Sequence, residues 1–322
     1  MNMRHGIAST VFSIALCFST SACSQNYGKA RCVVRVLDEE QKPIGDADVT
    51  VSYRRLKTMN PWDGYDVLFV KGKSDKNGLF EAERRGLAHV GIAAKKRGYY
   101  QSVAKYEFQE RMAGKWQPWA PTITLRLRRK IDPIPMYARK CWSVLPSSGP
   151  VGYDLLAGDW VEPAGKGEVS DLVFTLERDY RNANHFDVRL TIEAAGPGNG
   201  FAVVKPEDLI PESKLKVPHT AYPAGYNTSI VLRRAAGAGE VVDTIEPDAQ
   251  NFLFRTRSET DEEGKVVKGL YGKMKYLKWW IHYLKTARLR FDYYVNPTGS
   301  RNIEFGRNLF TDLEVRERLT YE

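Results

Sequence analysis

The feature that most constrains this chain is a strict alternation of apolar and polar residues, repeated in short runs and rarely interrupted by a helical period. Leu289, Phe291, Tyr293 and Val295 alternate with Arg288, Arg290, Asp292 and Tyr294. Phe186, Val188, Leu190 and Ile192 alternate in the same way with Asp187, Arg189, Thr191 and Glu193. A period of two is the side-chain period of a strand, so each run sends one face to a core and the other towards solvent. Leu172, Phe174 and Leu176 form a third run, and the stretch from Asp179 to Asn184 predicts a hairpin into the Phe186 run. Thr260 to Lys265 predicts another hairpin, and Ile230-Val231-Leu232 and Phe252-Leu253-Phe254 read as further strands. No repeat of fixed period is present. The expected fold is mainly β, with two sandwich-type domains.

The earlier half has its own grammar. Cys32, Val34 and Val36 alternate with Val33, Arg35 and Leu37, and the Pro43-Ile44-Gly45-Asp46 turn precedes the β-branched run Val49-Thr50-Val51. Asn77-Gly78 between Lys73 and Leu79-Phe80 is a hairpin signal. Val90-Gly91-Ile92-Ala93-Ala94 then leads into Lys95-Lys96-Arg97-Gly98-Tyr99-Tyr100. This order of strand, KPIGDADV, SDKNGLF and KKRGYY resembles the carboxypeptidase regulatory-like family of transthyretin-like sandwiches. The resemblance covers the N-terminal domain alone. It implies a transthyretin-like or Ig-like accessory sandwich, of a kind attached to enzymes or envelope proteins and not itself catalytic. Lys57 to Gly72 is longer than the family's usual connection and reads as a binding loop or a longer hairpin. The prolines of Ile131-Asp132-Pro133-Ile134-Pro135 stiffen an extended linker, which divides a sandwich over 29–130 from a second β-rich domain over 131–322.

Residues 1–23 are expected to be an export signal. Arg4 and His5 precede an apolar stretch from Ile7 to Phe18, which at about a dozen residues is too short to span a bilayer, and small residues follow. Ser21-Ala22-Cys23 also reads as the end of a bacterial lipobox, with Thr20 where that motif has Leu. Cys23 is thus a candidate lipidation site and membrane anchor, against ordinary cleavage near Ala22. The expected location is the periplasm or outer membrane. In an oxidising compartment Cys32 and Cys141 form a candidate disulfide, the alternative being two separate buried thiols.

Lys and Arg outnumber Asp and Glu by 48 to 39. Such an excess favours acidic partners, namely acidic polysaccharide or anionic head groups. Nucleic acid is not expected, because an exported protein rarely meets it. The histidines are scattered, with no i, i+3 or i+4 pair to suggest a metal site, and no Gly-rich phosphate loop or nucleophile elbow occurs. No metal and no cofactor is expected. Asp75 and Asn77 lack the further acids of a Ca²⁺ loop. Asp154, Asp159 and Glu162 around Gly158-Asp159-Trp160 are the carboxylates a glycoside-active enzyme would use.

Aromatic residues offer the more specific surface. Tyr276, Trp279, Trp280, Tyr283, Tyr293 and Tyr294 interleave with Lys275, Lys278, Lys285, Arg288 and Arg290, while Trp62, Trp116 and Trp119 fall on expected loops of the first module. Flat rings beside cations suit an acidic sugar polymer, and the competing reading places the same rings in the core. The leading expectation is a non-catalytic structural or interaction protein of the bacterial cell envelope with an envelope protein as partner. Carbohydrate binding through exposed Trp and Tyr is the alternative, and a glycoside-active enzyme comes third.

Overall fold

The computed structural model describes residues 27–319 apart from 59–60, 147–148, 183, 238–239, 244–250 and 283–285, so the export signal, Cys23 and Tyr283 lie outside the described residues. The chain is mainly β, as its alternation predicts, and its contacts group into two compact units. One comprises Met1–Arg35, Gly45–Ala93 and Ala104–Thr124; the other comprises Val36–Ile44, Ala94–Val103 and Leu125–Glu322.

The strands ahead of residue 130 are β1 (Gly28–Leu37), β2 (Asp48–Leu56), β3 (Tyr65–Lys73), β4 (Leu79–Gly86), β5 (His89–Lys95), β6 (Ser102–Glu107), β7 (Glu110–Met112), β8 (Lys115–Gln117) and β9 (Thr122–Arg126). They form one sheet in the order β4-β1-β8-β7, with β9 also on β1, and a second in the order β3-β2-β5-β6. Alternation decides what is buried: Ala30, Cys32 and Val34 on β1 and Val49, Val51 and Tyr53 on β2 are inside. The long connection from Lys57 is a hairpin, since β2 and β3 pair in register from Asp48 with Lys73 to Leu56 with Tyr65.

The Asn77-Gly78 signal requires a correction. Asp75 Oδ1 does accept the amides of Asn77 and Leu79, at 2.9 and 2.7 Å, and the chain turns there. However, β3 pairs with β2 whereas β4 pairs with β1, so this turn passes the chain between sheets and closes no hairpin. Local turn chemistry reverses the chain; the partner of each strand is chosen by which face must be buried.

In the larger unit the strands are β10 (Ile134–Val144), β11 (Val151–Asp154), β12 (Asp159–Trp160), β13 (Leu172–Asn182), β14 (His185–Ala194), β15 (Gly200–Val203), β16 (Ser229–Gly237), β17 (Glu240–Asp243), β18 (Phe252–Thr260), β19 (Val266–His282), β20 (Thr286–Asn296) and β21 (Phe305–Asn308). One sheet runs β15-β18-β19-β20-β10-β21 and the other β12-β11-β13-β14-β16-β17. Their inner faces share one core, containing Phe174, Leu190 and Ile192 from one sheet and Leu289, Phe291 and Tyr293 from the other. Phe174 and Phe291 stack across it with centroids 5.9 Å apart. The expected linker is fixed in place: the amides of Ile131 and Asp132 donate to the buried Glu304 carboxylate at 3.1 and 2.6 Å, and β10 begins at Ile134.

The candidate disulfide is also corrected. Cys32 and Cys141 are both free, and both are inward residues of their strands. Burial pushes their thiols up, to about 11 and about 12, which makes them poor nucleophiles.

A buried ionic knot ties the two sheets of this unit. Arg257 on β18 adopts φ +50°, a left-handed conformation that a non-glycine residue rarely holds. From there Nε donates to Asp171 Oδ1 at 2.8 Å, and Nη2 donates to Asp171 Oδ2 at 2.9 Å and to Asp154 Oδ1 at 2.8 Å. Asp171 also accepts the Leu155 amide and the Thr256 hydroxyl, each at 2.8 Å. Removing this carboxylate leaves Arg257 with only the Asp154 contact of this knot and takes the acceptor from the Leu155 amide and the Thr256 hydroxyl. Asp171→Ala is therefore expected to lower stability to urea by about 3 kcal/mol, whereas Glu177→Ala at an exposed pair stays within about 0.5 kcal/mol.

Candidate aromatic and cationic surface

Because Leu289, Phe291 and Tyr293 point inward, Arg288 and Arg290 must point outward from β20. Register then fixes their neighbours. Trp142 of β10 and Lys278 of β19 flank Arg290, and Val144 and Trp280 flank Arg288 in the next row. Trp142 is 55 % exposed and Trp280 39 %. Their rings lean over β20 until the centroids stand 5.8 Å apart at an interplanar angle of 24°.

A bulge extends this surface. Between Lys275 and Lys278, β19 carries one more residue than β20 opposite it. Leu277 remains in the core, and Tyr276 is turned outward with φ +55°. An aromatic residue at positive φ is strained, and the ring it presents is surrounded by cations. Lys216 Nζ lies 5.7 Å from its centroid, Lys275 Nζ 5.9 Å and the Arg290 guanidinium 5.8 Å. Arg290 also lies 5.6 Å from the Trp142 ring, so one guanidinium links the two aromatic groups.

A polar cleft of about 90 Å³ adjoins Trp142, lined in part by Arg139, Ser143, Asp159, Trp160 and Glu317. Its side chains hold one another. Arg139 donates to Glu317 at 2.6 Å, and Trp160 Nε1 donates to Ser143 Oγ at 3.0 Å. Of the three carboxylates that a glycoside-active enzyme would use, Asp154 and Asp159 serve as turn anchors. Asp159 accepts the amides of Trp160 and Lys166, while Asp154 accepts those of Leu156, Ala157, Glu168 and Val169 as well as Arg257. Burial raises the Asp154 pKa, but these amides and Arg257 outweigh it and leave the group below the usual carboxylate range.

The expected aromatic residues divide. Trp280 is on the surface described above, whereas its neighbour Trp279 packs against the core. Trp62 is 93 % exposed on a short 3₁₀ turn of the first unit. Trp116 is corrected from loop contact to core: it is buried on β8, and Nε1 donates to the Gly86 carbonyl at 2.9 Å. Trp119 is half-buried with Lys115 Nζ 4.9 Å from its ring. Sequence reasoning missed Trp142, and it placed Tyr276 in the aromatic cluster without the bulge that turns it outward. Trp142 follows the inward Cys141 on a strand whose polar residues Arg139 and Lys140 blur the alternation, and Tyr276 needs a bulge that no local motif announces.

The bulge separates two adjacent residues in a measurable way. Tyr276→Gly removes about 1 kcal/mol of left-handed strain together with ring contacts of about the same size, so its stability is expected to match the parent's within about 1 kcal/mol. Leu277→Ala opens the core and is expected to cost about 2 to 5 kcal/mol in the same denaturation experiment.

No known family model matches the chain, and no curated protein matches it. Among solved structures, a 3-chlorocatechol 1,2-dioxygenase from Rhodococcus opacus is similar at 12% identity, over 33% of this chain and 62% of that one, with a TM-score of 0.25. The chain thus spans less than two thirds of that enzyme's length. The shaft pilin SpaA of Lactobacillus rhamnosus is similar at 9% identity over 70% of this chain and 86% of that one, with a TM-score of 0.24. A candidate carbohydrate-binding protein from Bacteroides uniformis is similar at 8% identity over 85% and 93%, with a TM-score of 0.18. Likenesses this distant assign neither family nor function.

Proposed function

We propose that this chain is an exported, non-catalytic binding protein of the bacterial cell envelope, and that the outer face of β10, β20 and β19 holds an acidic polysaccharide. The observation that carries this reading is the pairing of Trp142 with Trp280 on one exposed face, with Arg288, Arg290 and Lys278 beside them. An indole ring offers a flat, polarisable surface to the apolar C–H face of a sugar ring, and neighbouring guanidinium and ammonium groups attract carboxylate or phosphate substituents. Residues 1–23 act on this reading as the export signal, with Cys23 as the lipid anchor where it is modified. The strands of 29–130 serve as an accessory sandwich of the carboxypeptidase regulatory-like type, and 131–322 carry the ligand face. An envelope protein remains the partner of the structural reading, which Trp62 supports as an exposed aromatic on the accessory sandwich.

Aromatic and basic side chains together also bind single-stranded nucleic acid. The expected export signal favours the polysaccharide, and the same experiment tests both. In co-sedimentation with insoluble acidic and neutral polysaccharides, the parent protein is expected to pellet with the acidic polymer. Added salt should weaken retention without abolishing it, since screening acts on the charge contacts and not on ring stacking. Trp142→Ala with Trp280→Ala is expected to weaken retention about tenfold or more, equivalent to about 1.4 kcal/mol. Equal retention of this double variant, no retention of the parent, or preferential capture by a single-stranded oligonucleotide would sink the proposal.

A further inference from the structure

The hairpin of β2 and β3 leaves an open sheet edge in the first unit. β3 is the end strand of the sheet β3-β2-β5-β6, and it pairs with β2 from Tyr65 to Lys73 without a bulge. The Lys57 amide donates to Gly64 O at one end of this ladder, and the Ser74 amide donates to Ala47 O at the other. Hydrogen-bonded pairs alternate along an antiparallel ladder, so even-numbered residues of β3 bond to β2, and the peptide groups of Tyr65, Val67, Phe69 and Lys71 point away. Among the described residues one donor reaches these groups, Arg84 Nη1 at 3.2 Å from Phe69 O. The side chains of the same residues lie on the outer face. Tyr65, Val67 and Phe69 are 43, 46 and 49 % exposed, whereas Leu68 and Val70 stand opposite the buried Tyr53 and Val51. Native sheet edges are blunted by charge, proline or a bulge. β4, the end strand of the other sheet, has Glu81, Glu83, Arg84 and Arg85, but β3 from Tyr65 to Val70 has Asp66 alone.

We propose that this edge docks a second copy of the chain, whose own β3 adds antiparallel about a two-fold axis at Leu68 and joins the two sheets into one. In that register Val67 faces Phe69 of the second copy, Tyr65 faces its Lys71 and Asp63 faces its Lys73, and symmetry repeats each pairing. Charge selects this occupant. Asp63 and Asp66 lie towards the start of the strand and Lys71 and Lys73 at its end, so an antiparallel copy sets opposite signs together, whereas a parallel copy sets like charges side by side. Lys73 already pairs with Asp46 at 2.7 Å, and Asp63 accepts the Thr58 hydroxyl, so these charges set direction more than strength. The strength comes from the outward peptide groups and from burying Val67 and Phe69 of both copies. Phe69 O exchanges Arg84 for the Val67 amide of the second copy. The Arg54 guanidinium lies 4.4 Å from the Tyr65 ring and Lys71 Nζ 5.4 Å from the Phe69 ring, so rings already held in place lose little freedom when covered. The contact uses β3 of both copies and therefore stops at a dimer. β3 belongs to the first unit, so this self-contact does not depend on the ligand proposed for the larger one.

The full chain is followed by sedimentation velocity over a concentration series, with hydrogen exchange read by mass spectrometry at the dilute and concentrated ends. The expected result is a shift from monomer to dimer with concentration, accompanied in the first unit by slower exchange over 65–71. Val67→Pro removes an outward N–H without taking a bond from the β2 ladder, and Phe69→Lys puts an ammonium beside Val67 of the second copy. Each is expected to weaken the dimer about tenfold or more while circular dichroism stays that of the parent. Trp142→Ala with Trp280→Ala, the variant that tests polysaccharide binding, is expected to dimerise like the parent, so either reading can fail while the other stands. A chain that stays monomeric throughout, or a dimer that both β3 variants leave unchanged, overturns the proposal. So does growth beyond two copies, or loss of the dimer in the tryptophan variant. Slow exchange over 65–71 at every concentration also overturns it, because a segment ahead of residue 27 would then be the strand on this edge.

Discussion

The Asp171 carboxylate holds together what the rest of the larger unit needs. It sits just ahead of β13 in one sheet and binds Arg257 and Thr256 of β18 in the other, while also taking the Leu155 amide. With Asp154 it fixes the path of residues 154 to 171 through side-chain bonds to main-chain amides, in a segment too short of regular strand to satisfy them otherwise. That fixed path places Tyr153 and Trp160 over the core. Tyr153 meets Phe291 edge to face at 5.6 Å, Trp160 meets Phe174 at 5.3 Å, and the Tyr293 hydroxyl donates to Leu155 O at 2.9 Å. Phe291 and Tyr293 are the inward residues of β20, so the knot holds the strand that carries Arg288 and Arg290 on its opposite face.

The outer surface therefore inherits its order from the inner one. Side chains on a strand alternate without exception unless a bulge intervenes, so every aromatic locked inward at one position sets the direction of its neighbours. Trp279 and Trp280 show the rule at adjacent positions, one packed on the core and the other outward above β20. The bulge at Tyr276 is the exception that widens the surface. It inserts a residue without moving Leu277 out of the core, and the strain is carried at one φ angle. A surface backed in this way loses little side-chain freedom when a ligand covers it, which is the condition for rigid rings to bind well.

This explains which parts were legible in the sequence. The runs ending at Ile192 and Val295 announce strands because each alternates, and the larger unit buries their apolar sets apart from the partly exposed Phe186, while Asp292 and Tyr294 on the opposite face of the second run are buried too. What alternation cannot give is the identity of the neighbour across the sheet. Asn77-Gly78 predicts a turn from local chemistry, and the turn exists, but whether β4 then pairs with β3 or β1 depends on burial far along the chain. Trp116 looks like a loop residue between Gly114 and Pro118 until the Gly86 carbonyl is seen to accept its indole N–H. Nothing local marks Trp142, because its neighbours Arg290 and Trp280 are residues more than a hundred positions away.

The cationic side of the surface was visible only as a net charge, and a net charge has no place. Lys214 and Lys216 sit in a proline-containing loop without any period, and Lys273 and Lys275 belong to a strand whose outward positions look solvated when read alone. Folding brings these two unremarkable pairs against one another and buries Lys273. Charge contacts and indole contacts depend differently on salt, because exposed charges are screened within about 10 Å at 0.1 M ionic strength while ring contacts are not. Arg290 lies within reach of both Trp142 and Tyr276, so the charged and the stacking parts of the surface meet at a single side chain.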